Sequence, residues 1–333
     1  MTRVLAASAL LAVAGGLLAP TRVPSRAARV ARRAAASAAP DAAEALFDDY
    51  RSAAPSPQRE QFEACWALVE RVQAAAEAAL PSDARLAADR SAFGGALAAF
   101  VTSGPDDTAS VPSAQRELVG LLSDTAASYE RLEHPRLAWG TRYRTLNRPL
   151  GAFFGGIQLW PDTGTDAPNF TLYFGSGSAA NPDRVFMRLE LVPRVDTDTD
   201  ETGYCERYYE PFNDEFFAFA EDERFEPYVS TSAYARGALA PSGLRYFFEF
   251  SEPALARCEE AACALATMWG GFVSDADPAA DTPARRATLA ERDAIVRRVA
   301  ANSSPDNANR ELVFGAEMFA KTKLLLMGDP DAR

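Results

Sequence analysis

Several residue types and patterns are scarce in this chain, and each scarcity excludes a class of function. There is one histidine, and the four cysteines include no CxxC pair, so neither a zinc site nor an iron–sulfur cluster held by this chain is expected. No Gly-rich phosphate loop of the dinucleotide-binding type is present, which disfavours direct use of NADPH. The only lysines are Lys321 and Lys323. Arginine therefore provides nearly all the positive charge, and it can bind carboxylates through two parallel hydrogen bonds.

The 333 residues carry a net charge of -12, which is unevenly distributed. Residues 1–40 contain six arginines and no acidic residue, so the remainder carries -18. A body this acidic is a poor partner for nucleic acid. With 48% hydrophobic and 24% charged residues, the composition is that of a globular protein with a sizeable core.

Residues 1–40 have the composition of a targeting segment. The apolar run over 4–20 is too short and too rich in Gly and Ala for a membrane span, and it fits the core of a signal peptide. The basic, acid-free stretch over 21–40 has transit-peptide composition. Together they fit two destinations equally well, with no stable membrane span after processing: delivery to a plastid bounded by extra membranes, or secretion with a basic propeptide. Residues 41–333 are then predicted to form a single domain.

Periodicity predicts helices on both sides of a central group of strands. Strand patterns are found at 151–160, 169–175, 184–192 and 243–250. Their short connections favour antiparallel neighbours. Helical spacing of apolar residues is found near 56–80, 114–130, 251–269, 285–301 and 308–327. This order predicts one layered α/β domain.

The strand predicted over 184–192 alternates in the character of its side chains. Its apolar residues point one way, whereas Phe186, Arg188 and Glu190 point the other way. A sheet face that carries an aromatic ring together with both charges is either wet or lines a pocket.

The order of three sequence strings resembles one known family. LELVPRVD (189–196) is followed by ERYYEPFND (206–214) and FEPYVSTSAYAR (225–236), with a proline at 241. In this order and spacing the chain resembles the red chlorophyll catabolite reductases, members of the ferredoxin-dependent bilin reductase superfamily. The resemblance implies a three-layer α/β/α sandwich, in which a central antiparallel sheet is flanked by helices. It also implies a linear tetrapyrrole bound between the sheet and the C-terminal helices.

The function implied by the resemblance is ferredoxin-dependent reduction of red chlorophyll catabolite to a primary fluorescent catabolite in chlorophyll breakdown. No cofactor is expected to be bound, because reduced ferredoxin is the external electron donor. Reduction of biliverdin-type bilins, and tetrapyrrole binding without reduction, are the alternatives. A homodimer is compatible with the sequence. Because ferredoxins are acidic, their docking needs a local positive patch, and two arginine clusters are candidates: Arg142, Arg144 and Arg148, or Arg285, Arg286, Arg292, Arg297 and Arg298.

Two carboxyl groups are candidates for proton transfer to such a pigment. A carboxyl in a dry pocket suits this task, because burial favours its protonated form. Asp293 matches an aspartate of the family, although a surface pair with Arg297, four residues later on one helix, explains it as well. Glu190 matches an acidic strand position of the family, and a pair with Arg188 or a cross-strand neighbour is its alternative.

Three further residues are candidates for substrate binding. Tyr173 stands where the plant enzymes have glutamate; a phenol can donate a hydrogen bond but is a weaker acid than a carboxyl, and simple packing on the pigment rings is the alternative. Arg236 is predicted to hold a propionate, or else to form a structural ion pair with the acidic segment before it. Leu239 matches a position of the family that influences product stereochemistry, so it bears on pocket shape.

Overall fold

The computed structural model describes most of the predicted domain. It covers residues 47–50, 52, 54, 56–81, 86–89, 100–102, 124–148, 151–176, 181, 183–199, 203–233, 236, 240–275, 282–302, 311, 316–326 and 328. The predicted targeting segment over 1–40 lies outside these residues.

Nine strands and six α-helices make up the described part of the chain. The strands are β1 (Ala87–Asp89), β2 (Phe100–Thr102), β3 (Thr125–Glu133), β4 (Leu137–Asn147), β5 (Phe153–Pro161), β6 (Asn169–Ser176), β7 (Arg184–Val192), β8 (Phe225–Pro227) and β9 (Leu244–Glu249). The helices are α1 (Ser56–Ala79), α2 (Tyr204–Tyr208), α3 (Asn213–Ala220), α4 (Glu252–Ser274), α5 (Pro283–Asn302) and α6 (Ala316–Leu326).

All the strands join one antiparallel sheet in the order β1-β3-β4-β5-β6-β7-β9-β8, and β2 also pairs with β3. Sequential neighbours from β3 to β7 are joined by connections of three to seven residues. Within the described residues, a long crossover runs from β7 to β9 and contains α2, α3 and β8. Helices lie against both faces of this sheet, so the predicted three-layer α/β/α sandwich is confirmed.

One face of the sheet, here called the core face, packs against α1 and α4. It carries the large apolar residues of the central strands, among them Ile157, Phe170, Leu172 and Met187. Trp269 of α4 is fully buried against this face, and its Nε1 donates to the carbonyl of Pro168 at 2.8 Å.

The close approach of α1 and α4 depends on a glycine. A Cβ atom at Gly270 would lie only 2.5 Å from the Cβ of Ala79, so no larger residue fits at this crossing. At the same crossing, Ser274 Oγ donates to the carbonyl of Ala79 at 2.8 Å. The two helices therefore form one tightly packed layer.

The opposite face, here called the mixed face, packs against α5 and α6. A smaller apolar cluster joins Trp160 and Val192 of the sheet to Val296 of α5 and Leu325 of α6. Trp139 Nε1 donates to the carbonyl of Leu325 at 3.0 Å and so fixes α6 on the sheet. The helices cover only part of this face, since the rings of Phe154, Tyr173 and Phe186 on it are half-exposed.

Most of the predicted elements are present, with one clear error. The helix predicted over 56–80 and the four predicted strands are confirmed, and Ser251 caps α4 by accepting from the Ala254 N–H at 3.4 Å. The helix predicted near 114–130 is wrong where it overlaps β3. The Ala-rich start of β3 favours a helix, but its pairing with β4 overrides that local propensity.

No helix within the described residues is apolar enough over a sufficient length to cross a bilayer. The four cysteines are free thiols, and Cys65 and Cys258 are buried. In the described part of the chain, no three His, Cys, Asp or Glu side chains gather as a metal-binding group.

Candidate functional site

A row of polar side chains crosses the centre of the mixed face. The register places Thr141 opposite Gln158, Gln158 opposite Thr171, and Thr171 opposite Glu190. Residues directly opposite each other in an antiparallel sheet point to the same side. These four residues, here called the polar row, therefore run across β4, β5, β6 and β7. Thr141, Thr171 and Glu190 are all buried.

Aromatic rings lie beside the polar row. Neighbouring ring centroids are 4.8–5.7 Å apart along the series, the spacing of interacting aromatic pairs. This aromatic row consists of Tyr129, Tyr143, Phe154, Tyr173, Phe186, Phe247 and Tyr228. Because most of these rings are half-exposed, the row forms an apolar shelf that a planar ligand can reach.

Two glycines let the rings lie close to the sheet. A Cβ atom at Gly156 would lie 2.5 Å from the Cβ of Tyr173, and one at Gly175 would lie 3.1 Å from Cδ2 of Phe154. The rings therefore occupy the space that side chains at these two positions would take. Gly156 and Gly175 are thus explained by the shelf.

A buried carboxylate between two arginines adjoins the shelf. Glu190 is fully buried, and it forms ion pairs with both Arg188 and Arg245. Arg245 Nε donates to Glu190 Oε2 at 3.1 Å. One carboxylate thus faces two guanidinium groups, and the group carries a net positive charge.

Burial lowers the pKa of both arginines in this group. Desolvation lowers the pKa of Arg188, an effect opposed by the charge and hydrogen bonding of Tyr173. Desolvation likewise lowers the pKa of Arg245 to about 10, opposed by Tyr173 and Tyr228. Arg245 is therefore still protonated at neutral pH.

A second buried ion pair fixes α5 over the same face. Arg194, just after β7, donates from Nη2 to Asp293 Oδ2 at 2.7 Å and from Nε to Oδ1 at 3.0 Å. Both side chains are almost completely buried. The Asn169 amide also donates to Asp293 Oδ1, at 3.4 Å. Arg194 Nη1 in turn donates to carbonyls of the β5–β6 turn, those of Asp162, Thr165 and Ala167.

The structure brings three of the predicted site residues to one face. Tyr173 and Glu190 lie on the adjacent strands β6 and β7, and Asp293 reaches the same face through Asn169. Neither predicted carboxyl faces bulk water. The predicted surface pair of Asp293 with Arg297 is replaced by another contact: Arg297 Nε donates to the backbone carbonyl of Asp293 at 3.2 Å.

Of the two remaining predicted residues, the structure describes one. Arg236 is exposed, and its Nη1 donates to the carbonyl of Ser230, six residues earlier, at 2.6 Å. Its predicted contact with a propionate stays a prediction. Leu239 lies outside the described residues.

The alternative offered for Glu190, a pair with Arg188 or a cross-strand neighbour, is present in both forms. Sequence reasoning missed Arg194 as the partner of Asp293, the identity of Arg245, and most of the polar row. Arg194 lies 99 residues from Asp293, and Arg245 lies 55 residues from Glu190, so only the folded chain brings them together. The alternation of β6 was the one available signal, since it places Thr171 and Tyr173 on the same face.

Three buried polar atoms on the mixed face have no hydrogen-bond partner within the described residues. They are Thr141 Oγ1, Trp160 Nε1 and Asn169 Oδ1. Buried polar groups are normally paired with protein or water. Unpaired groups beside the polar row are thus available to a water molecule or to the polar edge of a ligand.

Comparison with known proteins identifies the fold. No family model matches the chain, and no curated protein matches it. Among solved structures, phytochromobilin synthase from tomato, solved in complex with biliverdin, is similar with a TM-score of 0.54 at 14% sequence identity. The match covers 63% of this chain and 73% of that one. At this level of identity the likeness shows the fold alone, so this chain shares the fold of that protein.

Proposed function

We propose that this protein is a ferredoxin-dependent reductase of linear tetrapyrroles, and that red chlorophyll catabolite is its substrate, reduced to a primary fluorescent catabolite. The observation that carries the proposal is the mixed face of the sheet. There a half-exposed aromatic row adjoins a buried, net-positive group formed by Arg188, Glu190 and Arg245.

The chemistry of this face matches that of an open-chain pigment. Conjugated pyrrole rings are flat and apolar, and they can stack on the aromatic row. The propionates of such pigments are anions, and a guanidinium group has five N–H donors of which Glu190 occupies only some.

The proposed reaction needs no group bound by the protein besides the pigment. Two reduced ferredoxins each give one electron and are oxidised. The pigment takes both electrons and two protons, so that one double bond becomes a single bond with two new C–H bonds. The protein contributes orientation, exclusion of water and a source of protons.

Helix α5 is the proposed docking surface for ferredoxin. It carries five arginines against Glu291 and Asp293. Asp293 is paired with Arg194, and Arg285 lies 2.5 Å from Asp166 Oδ2, so the four other arginines carry the local positive charge. This local positive charge lies over the mixed face, whereas the rest of the body is strongly acidic. An acidic partner would therefore be steered towards the site.

The other arginine cluster is engaged in structural contacts. Arg142 pairs with Glu130, and Arg148 Nε lies 2.7 Å from Asp124 Oδ2. Arg144 is buried, and its guanidinium lies over the ring of Phe47 at 4.2 Å. This cluster is therefore the weaker candidate for docking.

Two observations support the alternatives. The structural likeness is to a protein solved with biliverdin, which favours a biliverdin-type bilin as the substrate. Tyr173 in place of glutamate, together with two carboxylates that are both held in ion pairs, favours a binding protein that does not reduce its pigment.

One assay distinguishes these functions. Purified protein is mixed with reduced ferredoxin and either red chlorophyll catabolite or biliverdin, and absorbance and fluorescence are followed. We expect bleaching of red chlorophyll catabolite with the appearance of a fluorescent product. Bleaching of biliverdin alone would identify a bilin reductase, and binding without bleaching of either pigment would identify a scavenger.

The plastid stroma is the proposed location. Chlorophyll breakdown supplies the substrate there, and residues 1–40 have the composition of a signal followed by a transit segment. A fusion of residues 1–40 to a fluorescent protein should enter plastids; its secretion would contradict this location.

A further inference from the structure

We infer that Tyr173 is the catalytic residue that gives a proton to the one-electron-reduced pigment, while Glu190 and Asp293 act as positioning residues. This inference rests on the proposed function and assigns the proton donor within the same site.

Both buried carboxylates accept hydrogen bonds from arginine in the folded protein. Glu190 accepts from Arg188 and Arg245, one at each of its oxygens. Asp293 accepts from Arg194 at both of its oxygens. A carboxylate that accepts at both oxygens has no proton to donate. Each of them is placed to hold its arginines in position.

Tyr173 lies where a stacked pigment would contact it. Its ring is half-exposed in the middle of the aromatic row, 4.8 Å from the centroid of Phe154 and 5.5 Å from that of Phe186. A flat ligand on this shelf therefore covers Tyr173. Its phenolic hydroxyl is a donor, and it lies on the same face as the polar row.

Two guanidinium groups lie near Tyr173. Arg188 is its direct cross-strand neighbour, with the guanidinium 5.7 Å from the ring centroid. The electrostatic effect of Tyr173 reaches both Arg188 and Arg245, since it raises the pKa of each against the larger lowering by desolvation. A phenolate at this position thus has two cationic neighbours in a partly dry site.

Two electrons and two protons reach the pigment in two rounds. The first reduced ferredoxin gives one electron, and the pigment becomes a radical anion. The phenolic O–H bond of Tyr173 breaks, its proton forms a C–H bond on the pigment, and the electron pair stays on the phenolate oxygen. The phenolate then takes a proton from water. The second ferredoxin supplies the second electron, and the same hydroxyl supplies the second proton.

The test replaces Tyr173 with phenylalanine, which keeps the ring and the stacking but removes the hydroxyl. The matched control is Tyr246→Phe, the same change on the core face of β9, where Tyr246 is buried. Pigment affinity, ferredoxin-driven turnover and the electron paramagnetic resonance signal of the pigment radical are measured for both variants. Tyr173→Glu serves as a rescue variant, because glutamate restores an acid at this position.

For Tyr173→Phe we expect turnover to fall by about 100-fold, the usual lower bound for losing a general acid. Pigment affinity should change little, and the radical signal should build up because the electron arrives without its proton. Tyr246→Phe should behave as the unaltered protein, and Tyr173→Glu should regain turnover.

The outcomes separate this inference from the proposed function. If the unaltered protein reduces pigment and Tyr173→Phe does so at a similar rate without a radical signal, Tyr173 is not the proton donor. If the unaltered protein binds pigment but reduces none, the proposed reductase function is overturned and this inference with it.

Discussion

The two faces of the sheet are built from the same strands but with different chemistry. In β6, Phe170, Leu172 and Phe174 point to the core face, and the residues between them point to the mixed face. In the centre of β5, β6 and β7 the core face carries apolar side chains and a glycine, whereas buried charges on this face of the described sheet are confined to β3 and β4. The mixed face carries buried charges, unpaired polar atoms and half-exposed rings. The same strands thus form the hydrophobic core on one side and the candidate site on the other.

The two faces also differ in how much they stabilise the fold. Apolar burial on the core face stabilises the fold directly, at about 25 cal/mol per Å². Burial of Arg188, Glu190 and Arg245 on the mixed face costs desolvation energy, and the extra positive charge has no counterion within the group. Hydrophobic residues of similar size would be as stable or more stable at such positions. Function is thus a better explanation than stability for this group.

The single substitution that we expect to destabilise the fold most lies on the core face. Trp269→Ala removes a fully buried ring from the packing between α4 and the sheet. We expect a loss of about 3–5 kcal/mol in the free energy of unfolding, measured by urea denaturation. Pigment affinity of the folded fraction should be retained. A large loss of affinity without a loss of stability would show that the two faces are not separate in function.

Breaking the buried Arg194–Asp293 pair over the mixed face should lower the free energy of unfolding by a similar amount, for a different reason. Arg194→Met leaves Asp293 as an unpaired buried charge, which costs about 3–5 kcal/mol. The double variant Arg194→Met, Asp293→Leu removes both charges and should recover much of that loss. If the two single losses simply add in a double-variant cycle, the ion pair does not couple α5 to the sheet.

Charge reversal on α5 should affect the electron donor without affecting the fold. Arg298 is exposed, so Arg298→Glu should slow ferredoxin-driven turnover by about 10-fold at low salt and flatten its salt dependence. Arg59→Glu on α1, in the helix layer over the core face, is the control and should leave turnover unchanged. Equal effects of the two variants would contradict docking at α5.

A matched pair of substitutions compares the two faces directly. Phe186→Leu, on the mixed face, should cost less than about 1.5 kcal/mol of stability and weaken pigment binding by roughly 2- to 10-fold, because a stacking contact is lost. Phe174→Leu, on the core face, should lower stability by more and leave binding unchanged, since Phe174 is buried there. Unfolding curves and pigment titrations of both variants test this; the reverse pattern would place the pigment on the other face.

The sequence was a good guide to local structure and a partial guide to the site. Long apolar periodicity predicted α1, α4 and α5, and alternation predicted β5, β6, β7 and β9. The strand β4 was not predicted, because its arginines and glycine interrupt a simple alternation. Glu190 and Tyr173 could be predicted from their strands, since the alternation of a strand determines which face a residue occupies.

Arg188 could be named as a partner of Glu190 because it lies two residues away on the same strand. The partners on other elements could not be identified, because they depend on register and on contacts between distant segments. The pairing of Arg188 with Arg245 requires the register of β7 against β9. The contact of Arg194 with Asp293 requires α5 to lie over the end of β7. A burial argument alone predicted protonated carboxyls, whereas the folded chain provides an arginine for each of them.

The smallest expected change in stability is at the turn between α3 and β8, away from both faces. Hydrogen bonds from Arg224 hold the pKa of Asp222 below its usual 3.8. A carboxyl whose pKa is lower in the folded state stabilises the fold above the unfolded value and loses that contribution as the pH falls through the folded value. Asp222→Asn should therefore be slightly less stable than the unaltered protein at pH 6, and the two should converge as the pH falls below 3.8. Because exposed ion pairs contribute little, urea midpoints at both pH values are needed, and a difference that grows towards acid pH would contradict this assignment.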